Sequence, residues 1–120
     1  MQSIFEIREY NNESGHSPFA GWFDSLDAVT AARVDKYIRR LEAGNFGAAK
    51  LLQEGVSELK LDFGPGYRVY FGKEGEQVVI LLGGGTKKRQ QADIDAAQLL
   101  WQQYKQTKEK RRNDGTITTI

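Results

Sequence analysis

Arg68, Lys60 and Tyr70 are the residues whose types and spacing most directly suggest chemistry. In the run "VSELKLDF" (56–63), strand alternation sends Leu59, Leu61 and Phe63 to one side and Glu58, Lys60 and Asp62 to the other. In "YRVYF" (67–71), Tyr67, Val69 and Phe71 form one set, and Arg68 and Tyr70 the other. With the apolar sets turned toward helices, Lys60, Arg68 and Tyr70 share an open face of adjacent strands. The next strand-like run ends in "GGGTKKRQQ" and brings Lys87, Lys88 and Arg89 to one rim of that face. Cations beside aromatic rings are one way a protein holds single-stranded RNA: the charges take phosphates and the rings stack on bases. Tyr70 supplies such a ring, joined by Tyr67 if the preceding turn rotates it. The same pattern also describes an ordinary solvated sheet face on which Arg68 pairs with Glu58 or Asp62. On the open-face reading, replacing Arg68 with alanine leaves stability almost unchanged.

The elements that position these residues follow from periodicity. Ser3–Tyr10 alternates as a short strand. Ser17 is placed as a helix N-cap with Pro18 at the first helical position, and Phe19, Trp22, Phe23 and Leu26 form an apolar stripe. Asp27 caps a second helix over 28–43, where Ala31, Val34, Ile38 and Leu41 repeat the spacing and Gly44 stops it. The connector "GNFGAAKLLQEG" reads as turns. Three strands follow as a meander, 56–63, 67–73 and 77–84, joined by Gly64-Pro65-Gly66 and Glu74-Gly75-Glu76. The third is apolar without alternation, as expected of a strand covered on both faces. A long helix begins near "QADI", with Ile94, Ala97, Trp101 and Tyr104 on one side. The expected order is β-α-α-β-β-β-α: an α+β fold with an antiparallel sheet, two N-terminal helices packed on it and a C-terminal helix. Trp22, Phe23, Ile38, Leu59, Val69, Val79, Leu81 and Trp101 are expected to be buried together. Residues 1–110 form a single domain, and 111–120 a polar tail, either disordered or an added edge strand.

The chain has 120 residues, 28% of them charged, and a net charge of +1. Its size suits one core, and no global field marks a nucleic-acid binder, so such a role must come from local clustering. It has no cysteine and a single histidine, His16, which excludes disulfides, cysteine nucleophiles and the usual zinc sites. No cofactor or metal is expected. Gly83–Gly85 lacks the spacing of a phosphate-binding P-loop. Glutamates fall where a signal peptide has its apolar core, and no apolar run reaches membrane-spanning length, so a cytoplasmic protein is expected.

The stretches "RRLEAGNFGAAK", "EGVSELKLDFGPGYRVYF" and "LLGGGTKKRQQADI" resemble the RelE/ParE toxin superfamily, in particular its HigB-like, phage-Gp49-like branch of addiction-module killer proteins. The resemblance covers residues 17 to 104. It implies the α+β fold described above and the toxin of a type II toxin–antitoxin system, a ribosome-dependent mRNA endonuclease. The implied partners are a cognate antitoxin, expected to be a helix-turn-helix protein encoded nearby, together with the ribosome and mRNA. Arg68 falls where the family has its phosphate and transition-state contact, Lys60 on a strand lysine, and Lys87 on a basic residue ending the next strand. Asp93 falls near a functional tyrosine position of RelE. RNA cleavage through its own 2′-hydroxyl needs a proton acceptor and charge stabilisation. Arg68 and Lys87 suit the second task, and Lys60 or Asp93 the first, with Tyr70 as an orienting group. Two other roles suit the same resemblance: a ParE-like inhibitor of DNA gyrase, which needs no such cationic set, and an inactive member that only binds its antitoxin.

Overall fold

The computed structural model describes the backbone of residues 4–118 and the side chains of residues 4–110. It is an α+β protein with strands β1 (Glu6–Glu9), β2 (Ala49–Leu51), β3 (Val56–Lys60), β4 (Tyr67–Glu74) and β5 (Val78–Thr86). The helices are α1 (Pro18–Asp24), α2 (Ala28–Glu42) and α3 (Gln90–Thr118). Sheet order is β1-β5-β4-β3-β2. The meander β3-β4-β5 forms as the alternation predicts, but the sheet is not wholly antiparallel. The short β1 joins the β5 edge in parallel, Glu6 opposite Val78 and Glu9 opposite Leu81. A parallel neighbour needs a crossover, and the α1–α2 pair with the following meander provides it. The far edge is β2, inside the segment read as turns. Three residues are too few to show alternation.

Local chemistry explains both N-terminal helix starts. Ser17 Oγ accepts from the Ala20 amide at 3.0 Å and Asp27 Oδ1 from the Thr30 amide at 2.8 Å, each satisfying one free donor of a first turn. Pro18 occupies the position where a missing amide costs nothing. At the other end of α2, Gly44 takes φ +88°, and the Asn45 amide returns to the Arg40 carbonyl at 2.8 Å.

Two apolar layers lie on opposite faces of the sheet. Val34, Ile38 and Leu41 of α2 and Phe19 of α1 pack with Leu59, Leu61, Val69, Phe71, Val79 and Leu81. On the other face, Ala97 and Trp101 of α3 pack with Val56, Tyr70, Ile80, Leu82 and Tyr10. The unbroken apolar run of β5 thus serves both layers, as its pattern required. This arrangement corrects the expected single core. Trp101 belongs to the second layer, while Trp22 and Phe23 are half-buried at the border of the first.

The same arrangement corrects the open sheet face. The side that carries Arg68 and Tyr70 is roofed by α3, because Ile80, Leu82 and Val56 on that side also have to leave water. The helical backbone of α3 continues to Thr118, where the sequence reading placed a separate tail and an alternative edge strand. Residues 119 and 120 of that tail lie outside the described residues. No helix of the described residues is long and apolar enough to cross a membrane.

Candidate functional site

The site is built on two cross-strand rows. In register, Lys60 on β3 stands opposite Arg68 on β4, which stands opposite Gly85 on β5; the second row is Glu58, Tyr70, Gly83. Directly opposed residues project to the same face, so Lys60, Arg68 and Tyr70 do share one side, as alternation predicts. Their environments differ sharply. Lys60 is exposed at the margin, whereas Arg68 keeps 5% of its surface and Tyr70 none.

Arg68 pairs with Glu58 and not with Asp62, which is exposed. The Arg68 Nε to Glu58 Oε2 distance is 3.7 Å, and both side chains are buried. Gln90, the first residue of α3, donates to Glu58 Oε2 at 2.7 Å, and Arg68 Nη1 donates to the Gly66 carbonyl at 2.6 Å. The last bond explains the Gly-Pro-Gly turn. Gly64 and Gly66 both have positive φ, +59° and +78°, and the turn they make holds a carbonyl over the guanidinium. A Cβ on Gly66 would lie 2.9 Å from Arg68 Nη1 and 3.2 Å from Lys87 Cβ, so only a glycine lets the turn lie this close to the arginine and the rim lysine.

Asp93, in the first turn of α3, completes the cluster. A methyl group on Gly85 would overlap its Oδ2, so glycine is what lets α3 lie down at this point. Gly84 likewise leaves room for the Trp22 ring on the opposite face. Gly84 and Gly85 therefore serve close packing. Burial raises the Asp93 carboxyl above the usual carboxylate range, with Arg89 pulling the other way. Burial also pushes the Tyr70 phenol well above its ordinary value. The carboxylates of Glu58 and Asp93 reinforce the shift, and Arg68 opposes it.

Three buried polar atoms in this cluster lack a hydrogen bond of good geometry: Arg68 Nε, Tyr70 Oη and Asp93 Oδ2. Buried polar atoms are nearly always satisfied, so their clustering under one helix turn sets this place apart from the rest of the described interior. Around it stand exposed cations: Lys60, then Lys87, Lys88 and Arg89 in the 3₁₀ turn that links β5 to α3. No three histidine, cysteine, aspartate or glutamate side chains gather to hold a metal ion among the described residues.

Of the residues expected at the site, Arg68, Lys60, Lys87 and Asp93 are brought to one end of the sheet. Two expectations are corrected. Tyr70 is sealed beneath α3 and has no face to offer a base. Tyr67 is half-buried on the opposite side, packed against Trp22 and Phe63, because the turn leaves strand alternation intact. Sequence reasoning placed Glu58 only as one alternative partner of Arg68. Its signal was available, as a carboxylate directly opposite Tyr70 and one row from Arg68.

Residues 21–105 match the family described as phage derived protein Gp49-like (DUF891). An uncharacterized protein of Haemophilus influenzae is 43% identical over 86 residues, covering 71% of this chain and 87% of that protein.

Proposed function

Because this chain belongs to the Gp49-like phage-derived family, which is associated with RelE/HigB-like toxins, we propose that it is the toxin of a type II toxin–antitoxin pair and cleaves mRNA on the ribosome. The observation that carries this reading is a cluster of buried, incompletely bonded polar atoms from Arg68, Tyr70 and Asp93, edged by Lys60, Lys87, Lys88 and Arg89 in a chain of net charge +1. A stable sheet needs none of those unsatisfied atoms.

In the proposed reaction the ribose 2′-oxygen attacks the adjacent phosphorus as the P–O5′ bond breaks. The products are a 2′,3′-cyclic phosphate and a 5′-hydroxyl end. Asp93 accepts the 2′-hydroxyl proton, a task helped by its raised pKa, since a base works best when its pKa approaches the working pH. The leaving O5′ takes a proton from an ammonium of the rim, Lys60 or Lys87. Charge building on the phosphorane is met by those lysines at the surface and by Arg68 from just beneath it, in a medium where fixed charge acts strongly. Tyr70 and Glu58 are positioning groups that hold the guanidinium and α3 in place. Lys88 and Arg89 contact flanking phosphates. The ribosome supplies the message in an extended, accessible form, and a cognate helix-turn-helix antitoxin keeps the protein silent in the cytoplasm.

Induced expression with mapping of mRNA 5′ ends tests this directly. Growth arrest with new 5′ ends inside translated frames is the expected result. Arrest with intact messages and altered DNA supercoiling would transfer the assignment to a gyrase inhibitor.

A further inference from the structure

Beside the cluster, on the opposite side of the Gly64-Pro65-Gly66 turn, lies a strip of four half-buried rings. Tyr37 of α2 neighbours Phe63 at 6.2 Å between centroids, Phe63 neighbours Tyr67 at 5.3 Å, and Tyr67 neighbours Trp22 of α1 at 6.3 Å. Two exposed guanidiniums lie on it: Arg33 is 4.0 Å from the Phe63 centroid and Arg40 is 4.5 Å from that of Tyr37. Positions 33, 37 and 40 share one helix face by their spacing of four and three. Among the described residues the ion pairs on α2 belong to Arg39, with Asp35 and Glu42, and none to Arg33 or Arg40.

We infer that this strip is a track for single-stranded RNA leading into the cleavage site, an inference that rests on the ribonuclease reading above. A guanidinium held over a ring at these distances has one side against the ring and the other toward solvent. That outer side can stack on a base while its edge donates to phosphate. A protein partner would ask for carboxylates opposite Arg33 and Arg40, and it would leave the row of rings between them unused. Alternating planes and charges fit a strand of bases and phosphates. Continuity with the site supports the same occupant. Tyr67 and Arg68 project to opposite faces of β4, and the Gly64-Pro65-Gly66 turn lies close to both: a Cβ on Gly64 would meet the Tyr67 ring, and one on Gly66 would meet Arg68 and Lys87. The strip thus takes over the stacking role that buried Tyr70 cannot perform.

The test is fluorescence anisotropy of the full chain with a labelled oligouridine of about ten nucleotides, within the usual span of such sites. Arg33 and Arg40 are exposed, so Arg33→Gln/Arg40→Gln is expected to fold normally, which a thermal melt verifies. That variant is expected to bind about tenfold more weakly, the size of losing one stacked base. Arg33→Lys/Arg40→Lys restores the charge without the plane and is expected to recover only part of the loss. Wild-type binding by the double glutamine variant, or no binding by the wild type, overturns the track. So does a double variant that binds RNA normally but no longer captures its antitoxin. Failure of the ribonuclease reading looks different: RNA binds through Arg33 and Arg40, yet no message is cut on ribosomes.

Discussion

Arg68 and Glu58 form an ion pair that is nearly sealed from water, with 6% and 8% of their side-chain surfaces remaining. Gln90 of α3 donates to the same carboxylate oxygen that faces the guanidinium, so the pair also pins the start of the helix that roofs it. Removing one member of such a pair leaves an uncompensated charge inside the protein. Arg68→Ala is therefore expected to cost about 3–5 kcal/mol of stability, read from urea unfolding. This replaces the near-neutral outcome that an open-face arginine implies. An unchanged midpoint would mean that the pair is not sealed. It follows that lost toxicity in Arg68→Ala does not by itself identify a catalytic residue.

Asp93→Asn is expected to raise the melting temperature at neutral pH. Burial raises the folded-state pKa of Asp93 above its unfolded value. Its favourable contribution is thus complete below the unfolded pKa, about 4, and is lost as pH rises through the raised folded value. A neutral amide escapes that loss. The advantage of the variant should shrink toward zero on acidification below about pH 4, and a melting series across pH checks it. Equal melting temperatures at pH 7 would show that the carboxylate is not held in a costly position.

Tyr70→Phe should behave differently at the alkaline end. The phenol pKa is raised on folding, so its contribution persists below about pH 10 and is lost as pH climbs through the raised value. The wild type is expected to lose melting temperature more steeply than Tyr70→Phe above that point. Near neutrality the two should be within about 1 kcal/mol, because the hydroxyl removed makes no hydrogen bond of good geometry. Parallel alkaline curves would contradict the buried placement.

Gly85→Ala should be destabilising because its methyl group meets Asp93 Oδ2. Gly85→Ala/Asp93→Ala should be less destabilised than the sum of the single variants, with a coupling of roughly 0.5–3 kcal/mol in the unfolding cycle. Additive effects would place Asp93 away from Gly85.

Much of this was legible in the sequence, for identifiable reasons. Ser17-Pro18, Asp27 and Gly44 are local capping signals, and local signals survive tertiary context. Alternation in 56–63 and 67–71 correctly put Lys60, Arg68 and Tyr70 on one face. What alternation could not say was whether α3 covers that face. The apolar run of β5 had already required cover on both sides, and taking it together with Ala97 and Trp101 of α3 would have closed the supposedly open surface. The parallel docking of β1 onto β5 is a long-range pairing that leaves no local trace, and β2, which pairs with the neighbouring β3, has only three residues in which to show alternation. The partnership of Arg33 with Phe63 joins α2 to the end of the meander, so no local pattern reports it.

The central claim, that the cationic rim and Asp93 cleave RNA, is tested most directly in a reconstituted translation reaction with a defined message. Wild-type protein is compared there with Lys87→Ala and Asp93→Asn. Lys87 is exposed, so its loss should leave folding intact. The account predicts cleavage of the ribosome-engaged message with 5′-hydroxyl ends, slowed about 10²–10³-fold in Lys87→Ala by the lost charge contact. It predicts a loss of about 10²–10⁴-fold in Asp93→Asn, the usual weight of a general base. An intact message, or cleavage at the wild-type rate by both variants, would contradict it.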